Sequence, residues 1–277
     1  ERLRLGMVPI SDTKYFSYLD APEGFFDPDK VEMAKNTMPD FQFRMEWLSE
    51  WQDDSDGFYP RKLLDQCIGQ GELKFFPETR GDRTNPYFIG VDPARTQDNF
   101  SITVGKEEKG IFKIVRIVTF KNKNIPDYVL KIFRDIIRAF PNTVRIYMDD
   151  GGGGLTFKDL LGTRNYLNGN EEPILDIDDP LSMGKRGKKI LKMIRFSPQF
   201  STDYNFAFRA QMERSGVLFP LPSPEGSVYI KSEGSESDVR ELMMIEVYKL
   251  LREMQSIQVS ANSGTGSGPS VSRQANS

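Results

Sequence analysis

Two stretches decide how this chain folds. One is Phe88-Ile89-Gly90-Val91-Asp92-Pro93-Ala94; the other is Val144-Arg145-Ile146-Tyr147-Met148-Asp149-Asp150, which runs straight into Gly151-Gly152-Gly153-Gly154. Each is an apolar run of strand length that delivers a carboxylate where the backbone leaves the strand. Asp is a good turn residue, and Asp92-Pro93 alone reads as turn chemistry. Two strands with the same ending say more, and the glycines behind the second add to it. Glycine costs backbone entropy and marks close approach to another backbone or to a ligand. Carboxylates are what hard cations such as Mg²⁺ take from protein, usually one or two, with water and substrate phosphate completing the shell. Two such strand ends side by side could hold a metal over a phosphodiester. Asp92, Asp149 and Asp150 are therefore the candidate catalytic and metal-binding residues. Asp149 directly continues the apolar run, and Asp150 serves as a further ligand or support. Asp98, Gly151 and Gly152 form the candidate supporting loops.

Outward from these stretches the pattern is regular. Strands are expected over residues 87–92, 100–106 and 111–120, the last two joined by a hairpin turn through Lys106-Glu107-Glu108-Lys109-Gly110. Pro126 opens a helix reaching about Ala139, with Val129, Ile132, Phe133, Ile136 and Ile137 on its buried side. After the strand ending at Asp149 come a short helix over 155–161, a strand over 173–177 and a helix over 201–215. An extended piece over 217–220 and a long amphipathic helix over 238–258 follow. An antiparallel meander followed by helix-crossover strands predicts an α/β fold, a mixed sheet flanked by helices. Residues 1–60 read as a turn-rich lead-in with short helices, one capped by Asp27 with Pro28 in its first turn. Residues 61–259 read as the main domain, and 260–277 as a flexible Ser/Gly/Asn-rich tail.

Composition excludes several chemistries. The 277 residues contain no His, which removes imidazole acid–base catalysis, the Ser-His-Asp triad and imidazole-based zinc sites. Cys67 is the single cysteine, so no disulfide closes within the chain. No stretch approaches the roughly 20 apolar residues of a membrane helix. The formal net charge is −3, so nucleic-acid affinity has to come from a local patch. The densest basic stretch supplies Lys185, Arg186, Lys188, Lys189, Lys192 and Arg195. It reads as a glycine-flanked loop suited to phosphate contacts, which position a duplex without reading its sequence.

These residues resemble the nuclease domain of the large terminase subunits of tailed double-stranded DNA bacteriophages. Gly90-Val91-Asp92-Pro93-Ala94 with Asp98 and Ser101-Ile102-Thr103-Val104 is similar to that family's first acidic strand end. Met148-Asp149-Asp150 with its glycines and Asp159-Leu160-Leu161 is similar to the second. In the lead-in, Phe41-Gln42-Phe43-Arg44-Met45-Glu46-Trp47 and Gly57-Phe58-Tyr59-Pro60 resemble the stretch that joins the motor ATPase to the nuclease. The resemblance implies an RNase H-like fold and an endonuclease that uses Mg²⁺ or Mn²⁺, in a pair of ions, to cut concatemeric double-stranded DNA. It implies a small terminase subunit and a portal protein as partners, no membrane, and action at the procapsid in the host cell cytoplasm. The chain carries no phosphate-binding Gly-x-x-x-x-Gly-Lys-Ser/Thr loop, and its start reads as the cut edge of a longer protein. One departure concerns the third acidic ligand, which the family places where a final helix opens. Nothing after Glu253 is acidic, leaving Asp238, Asp203 and Glu241 as substitutes. The alternatives are another RNase H-like nuclease of the resolvase or transposase type, a catalytically incomplete DNA-binding module, and a nucleotide-binding domain of the actin or sugar-kinase type.

Overall fold

The computed structural model describes residues 16–38, 40–49, 57–69, 71–93, 99–121, 126–151, 153–223, 236–260 and 270–273. Its centre is a seven-stranded mixed sheet in the order β5-β6-β4-β1-β2-β3-β7. The strands are β1 (Tyr87–Asp92), β2 (Asn99–Glu108), β3 (Ile111–Lys121), β4 (Thr143–Asp149), β5 (Ile174–Asp176), β6 (Lys188–Ile194) and β7 (Val217–Leu218). β1, β2 and β3 form the antiparallel meander, while β4 runs parallel to β1, and β6 and β5 continue in that direction. This order and these directions are those of an RNase H-like sheet.

Local chemistry sets the elements. Glu108 pairs with Ile111 across Lys109-Gly110, whose φ values of 55° and 77° make the two-residue turn that matches strand twist. β2 therefore runs on to Glu108, further into the hairpin than the sequence pattern predicts. α4 (Pro126–Ala139) sends Leu130, Phe133, Ile136 and Phe140 just beyond it into the core formed with Ile89, Val91, Ile102, Ile146 and Met148. α5 (Gly154–Leu161) adds Phe157 and Leu161 to the same layer.

A second core covers the opposite face over β3. It joins Phe58, Tyr59, Leu63, Leu64 and Cys67 to Ile114, Ile117, Met212, Phe219, Val247 and Leu251. These residues come from the lead-in, α3 (Arg61–Gln66) with its C-cap Cys67, β3, α6 (Pro198–Glu213), α7 (Glu236–Gln255) and, at Phe219, the step just after β7. The lead-in helices are α1 (Pro28–Thr37), where Asp27 accepts from Asp29 N at 3.0 Å, and α2 (Asp40–Trp47). Asp40 N donates to Glu213 on α6 at 2.7 Å, and Phe58 and Tyr59 are 1% exposed, so the packed unit begins before residue 61.

Two segments differ from expectation. The basic stretch is not a loop from Lys188 onward: β6 lies between β4 and β5, because Ile190, Leu191, Met193 and Ile194 supply enough apolar surface for an interior strand. In the expected tail, β9 (Ser270–Arg273) pairs antiparallel with β8 (Ile257–Ser260), in a register that sets Val271 opposite Val259. Valine is among the residues that favour strands, and each of these short strands carries one.

Candidate active site

The last paired residues of β1 and β4 are Val91 and Met148. One step further along each strand stand Asp92 and Asp149, on neighbours about 4.8 Å apart. Alternation then assigns their faces. Ile89, Val91, Ile146 and Met148 all enter the core beneath α4 and α5, so Gly90, Asp92, Tyr147 and Asp149 face the other way. Among the described residues that face is uncovered here: Gly90, Tyr147 and Asp92 are exposed, and a Cβ built on Gly90 meets nothing within 4 Å. The two carboxylates thus share one open face at the carboxyl end of the parallel strands.

The glycine run explains itself at Asp149. Gly151 N donates to Asp149 Oδ1 at 3.0 Å, which orients the carboxylate and leaves Oδ2 available. Gly153 has φ of 117°, and Gly154 begins α5 so close to the strand end that a Cβ there would lie 1.8 Å from the Asp149 carbonyl oxygen. The same Cβ would lie 3.3 Å from Pro93 Cγ, so the ends of β1 and β4 and the start of α5 meet at one point. Gly152 and Asp98, both expected to support the site, lie outside the described residues. Asp150 is half-buried and its N–H donates to the Ile194 carbonyl at 2.9 Å. That bond prolongs the ladder to β6 just past the last strand residue, Asp149.

The basic residues divide between the faces. Ile174 pairs with Lys188 and Asp176 with Leu191, so β6 holds one extra residue and its alternation shifts there. Lys188 consequently shares the α4 face with Leu191, whereas Lys192 lies beside Tyr147 on the face of the acidic pair. Lys189, paired with Leu175, is on that acidic face as well. Lys192 approaches Asp178 at 3.7 Å between two exposed side chains, a weak pair. Arg186 precedes the strand and is held by Glu172 at 2.8 Å, which raises its pKa. Lys185 is exposed in the turn before it, and Arg195 follows the strand end. Arg145 joins Tyr147 on the acidic face, a position the sequence reading passed over although the same alternation marks it.

Other acids near this end serve different purposes. Asp176, at the end of β5, is buried on the α4 side, accepts from Asp178 N at 3.0 Å and sits 4.0 Å from Lys158 of α5. Lys158 bonds Asp179 at 2.9 Å, and that bond raises the lysine pKa and lowers the aspartate's. Of the suggested third ligands, Asp203 accepts from Gln199 at 2.8 Å on α6, Asp238 is buried in the first turn of α7, and Glu241 is half-buried one turn on. Among the described residues no three acids come together as a metal-binding group. The pair Asp92–Asp149 still fits a hard cation: two adjacent carboxylates, one pre-oriented by a backbone N–H, match what Mg²⁺ takes from protein.

No protein-family model matches the sequence, and no curated protein matches it. Its structural neighbours are large terminase nucleases of thermophilic phages. The chain is similar to the phage G20c large terminase nuclease with bound magnesium at 12% identity, over 81% of this chain and 92% of that one, with a TM-score of 0.48. It is similar to the Thermus phage P74-26 large terminase nuclease domain at 12% identity, over 78% and 84%, with a TM-score of 0.45. Against the large terminase of another thermophilic bacteriophage the identity is 10% and the TM-score 0.47, over 88% of this chain but 47% of that one. The chain thus spans about half the length of that terminase. The strand order and directions carry the RNase H-like assignment by themselves.

Proposed function

We propose that this chain is a divalent-metal-dependent DNA endonuclease, the nuclease part of a viral genome-packaging motor that cuts concatemeric double-stranded DNA. One observation carries the nuclease reading: Asp92 and Asp149 end adjacent parallel strands on the same uncovered face of the sheet. Asp92 and Asp149 would hold the cation, Mg²⁺ or Mn²⁺. When bound, such an ion lowers the pKa of water and offsets charge on the phosphate. A second ion needs another oxygen ligand, for which Asp150, Asp238 and substrate phosphate are the candidates.

The chain's own residues do the rest. Gly151 N fixes the Asp149 carboxylate. Gly90 leaves the floor of the face bare, so a phosphate backbone can approach the strands. Arg145, Lys189 and Lys192 offer positive charge to neighbouring phosphates on that face, giving salt-dependent binding without base readout. The packaging role, and with it a small terminase subunit, a portal protein and a procapsid in the host cytoplasm, rests on the motif resemblance in the lead-in and the acidic strand ends.

A second reading has one observation behind it. Because no three acids converge among the described residues, the chain would be a DNA-binding module without cleavage. Supercoiled-plasmid nicking with Mg²⁺ or Mn²⁺ decides between them. The wild-type chain is expected to nick only with metal, and Asp92→Ala and Asp149→Ala each to lose about a thousandfold, the several kcal/mol that metal catalysis supplies. Metal-dependent nicking that survives both changes would overturn the site, and a wild type that binds DNA but never nicks would establish the binding module.

A further inference from the structure

The opposite end of the parallel strands holds a different polar site. A cavity of about 260 Å³ lies between the last turn of α4, the segment after α5 and the first residues of β5 and β6, and Arg134, Arg138, Glu171, Glu172, Ile174 and Lys188 line it. Six residue steps lead along β6 from Lys188 to Ile194, so the cavity is about 20 Å from the Asp149 end at roughly 3.3 Å per residue. It is independent of the nuclease reading.

Arg134 is 2% exposed. Its Nη2 donates to the carbonyls of Leu161 at 2.8 Å and Thr163 at 3.1 Å, but Nε and Nη1 are buried with no hydrogen-bond partner. Charged donors buried without acceptors are costly, so this is where a ligand would gain most. Burial pushes the Arg134 pKa down to about 10, which still leaves the group cationic at neutral pH.

The acids nearby are already engaged. Glu171 accepts from Arg138 Nε and Nη2, both at 2.9 Å, Asp135 accepts from Arg138 Nη1 at 2.7 Å, and Glu172 accepts from Arg186 at 2.8 Å. Arg134, Arg138, Arg186 and Lys188 are thus four cations beside three carboxylates, with one positive charge left over.

We propose that this cavity binds one small oxyanion of the phosphate class, held by Arg134 from within and by the Lys188 ammonium at the mouth. Phosphate supplies the missing charge and accepts several charge-assisted hydrogen bonds at once. The volume admits a free phosphate or the terminal phosphate of a mononucleotide and excludes a duplex. Reaching Nε and Nη1 requires a side-chain shift at the rim, which the long side chains of Lys188 and Arg138 can supply.

The test is thermal unfolding of the full chain without divalent metal, titrated with inorganic phosphate against chloride at matched ionic strength. A rise in Tm that saturates with phosphate is expected, as for any ligand that binds only the folded state. Lys188→Met, a change at an exposed position, should raise the half-saturating concentration about tenfold, the loss of one charge-assisted bond. Arg134→Met should remove the response; where it fails to fold, Lys188→Met carries the test. Asp149→Asn should keep the full response, which separates this site from the acidic pair. A mononucleotide that saturates at lower concentration than phosphate identifies a phosphate ester as the source, and one that needs more identifies the free ion; either supports the site. A wild-type response equal to that of chloride or without saturation overturns it, as does an unchanged half-saturation in Lys188→Met.

Discussion

β1 begins and ends on polar residues, and the two ends are built to opposite purposes. At its start, the Tyr87 hydroxyl takes the Asp82 backbone N–H at 3.0 Å and reaches the Asp82 carboxylate at 3.1 Å. That carboxylate also accepts from Thr84 N and Asn85 N, both at 2.7 Å. Nearby, Glu78 bonds the largely buried Lys106 at 2.7 Å. Donors and acceptors are matched, and the Asn85 hydrogen bonds above all hold the Asp82 carboxyl well below the usual carboxylate range. At its finish, Asp92 stands exposed beside a second carboxylate on β4. Like charges placed together cost stability unless a cation joins them. The first end spends its polar groups on holding the fold; the second gathers negative charge that a bound cation would offset, the usual compromise between stability and function.

The largest effect that can break this contrast is on catalysis. Asp149→Asn keeps an oxygen to accept from Gly151 N but removes the charge, so nicking should fall about a thousandfold. Urea unfolding without metal should show stability unchanged or raised by up to about 1 kcal/mol, since repulsion with Asp92 is relieved. A clear loss of stability would make Asp149 a structural residue instead.

Next comes the close approach behind that carboxylate. Gly154→Ala would put a methyl group on the Asp149 carbonyl and should destabilise the fold by about 3 kcal/mol, read from the urea midpoint. A neutral result would mean that the glycine run is not needed for packing.

At the opposite end, Tyr87→Phe should cost about 1–2 kcal/mol, because Asp82 N and the Asp82 carboxylate lose a partner. The Asp82 pKa is depressed in the folded state, so its contribution is present above the unfolded value of about 3.9 and disappears as pH falls through the lower folded value. The stability difference between Tyr87→Phe and wild type should therefore shrink as the pH is lowered below about 4, and urea midpoints across that range would show it.

The smallest effect concerns DNA affinity. Lys192→Ala should weaken duplex binding several-fold at low salt and reduce the slope of log affinity against log salt by about 0.9, while Lys188→Ala on the other face leaves both unchanged. Equal effects from the two lysines would show that the division of the basic strand between faces does not govern binding.

Much of this was legible in the sequence, and the failures have definite causes. β1, the β2–β3 hairpin, α4 and β4 announce themselves by unbroken periodicity, and their observed bounds fall within two residues of the pattern. β6 was obscured because Lys188, Lys189 and Lys192 interrupt its apolar residues and mimic a solvated loop. β9 was obscured by its Ser-rich surroundings, which suggest no burial. The shared face of Asp92 and Asp149 was present in the alternation of Ile89, Val91, Ile146 and Met148, but alternation has no meaning until two strands are known to be neighbours.

By itself, the sequence determined which residue types could act at all. With no His and one Cys, only oxygen ligands and long cations remain, and two strands were bound to end on Asp because apolar runs stop there. Tertiary structure alone decided that these two strands lie side by side and parallel, that their carboxylates share the uncovered face, and that one extra residue in β6 sends Lys188 to the far side. The reason is that side-chain direction is local, with a period of two, whereas strand pairing depends on contacts between residues distant in the chain.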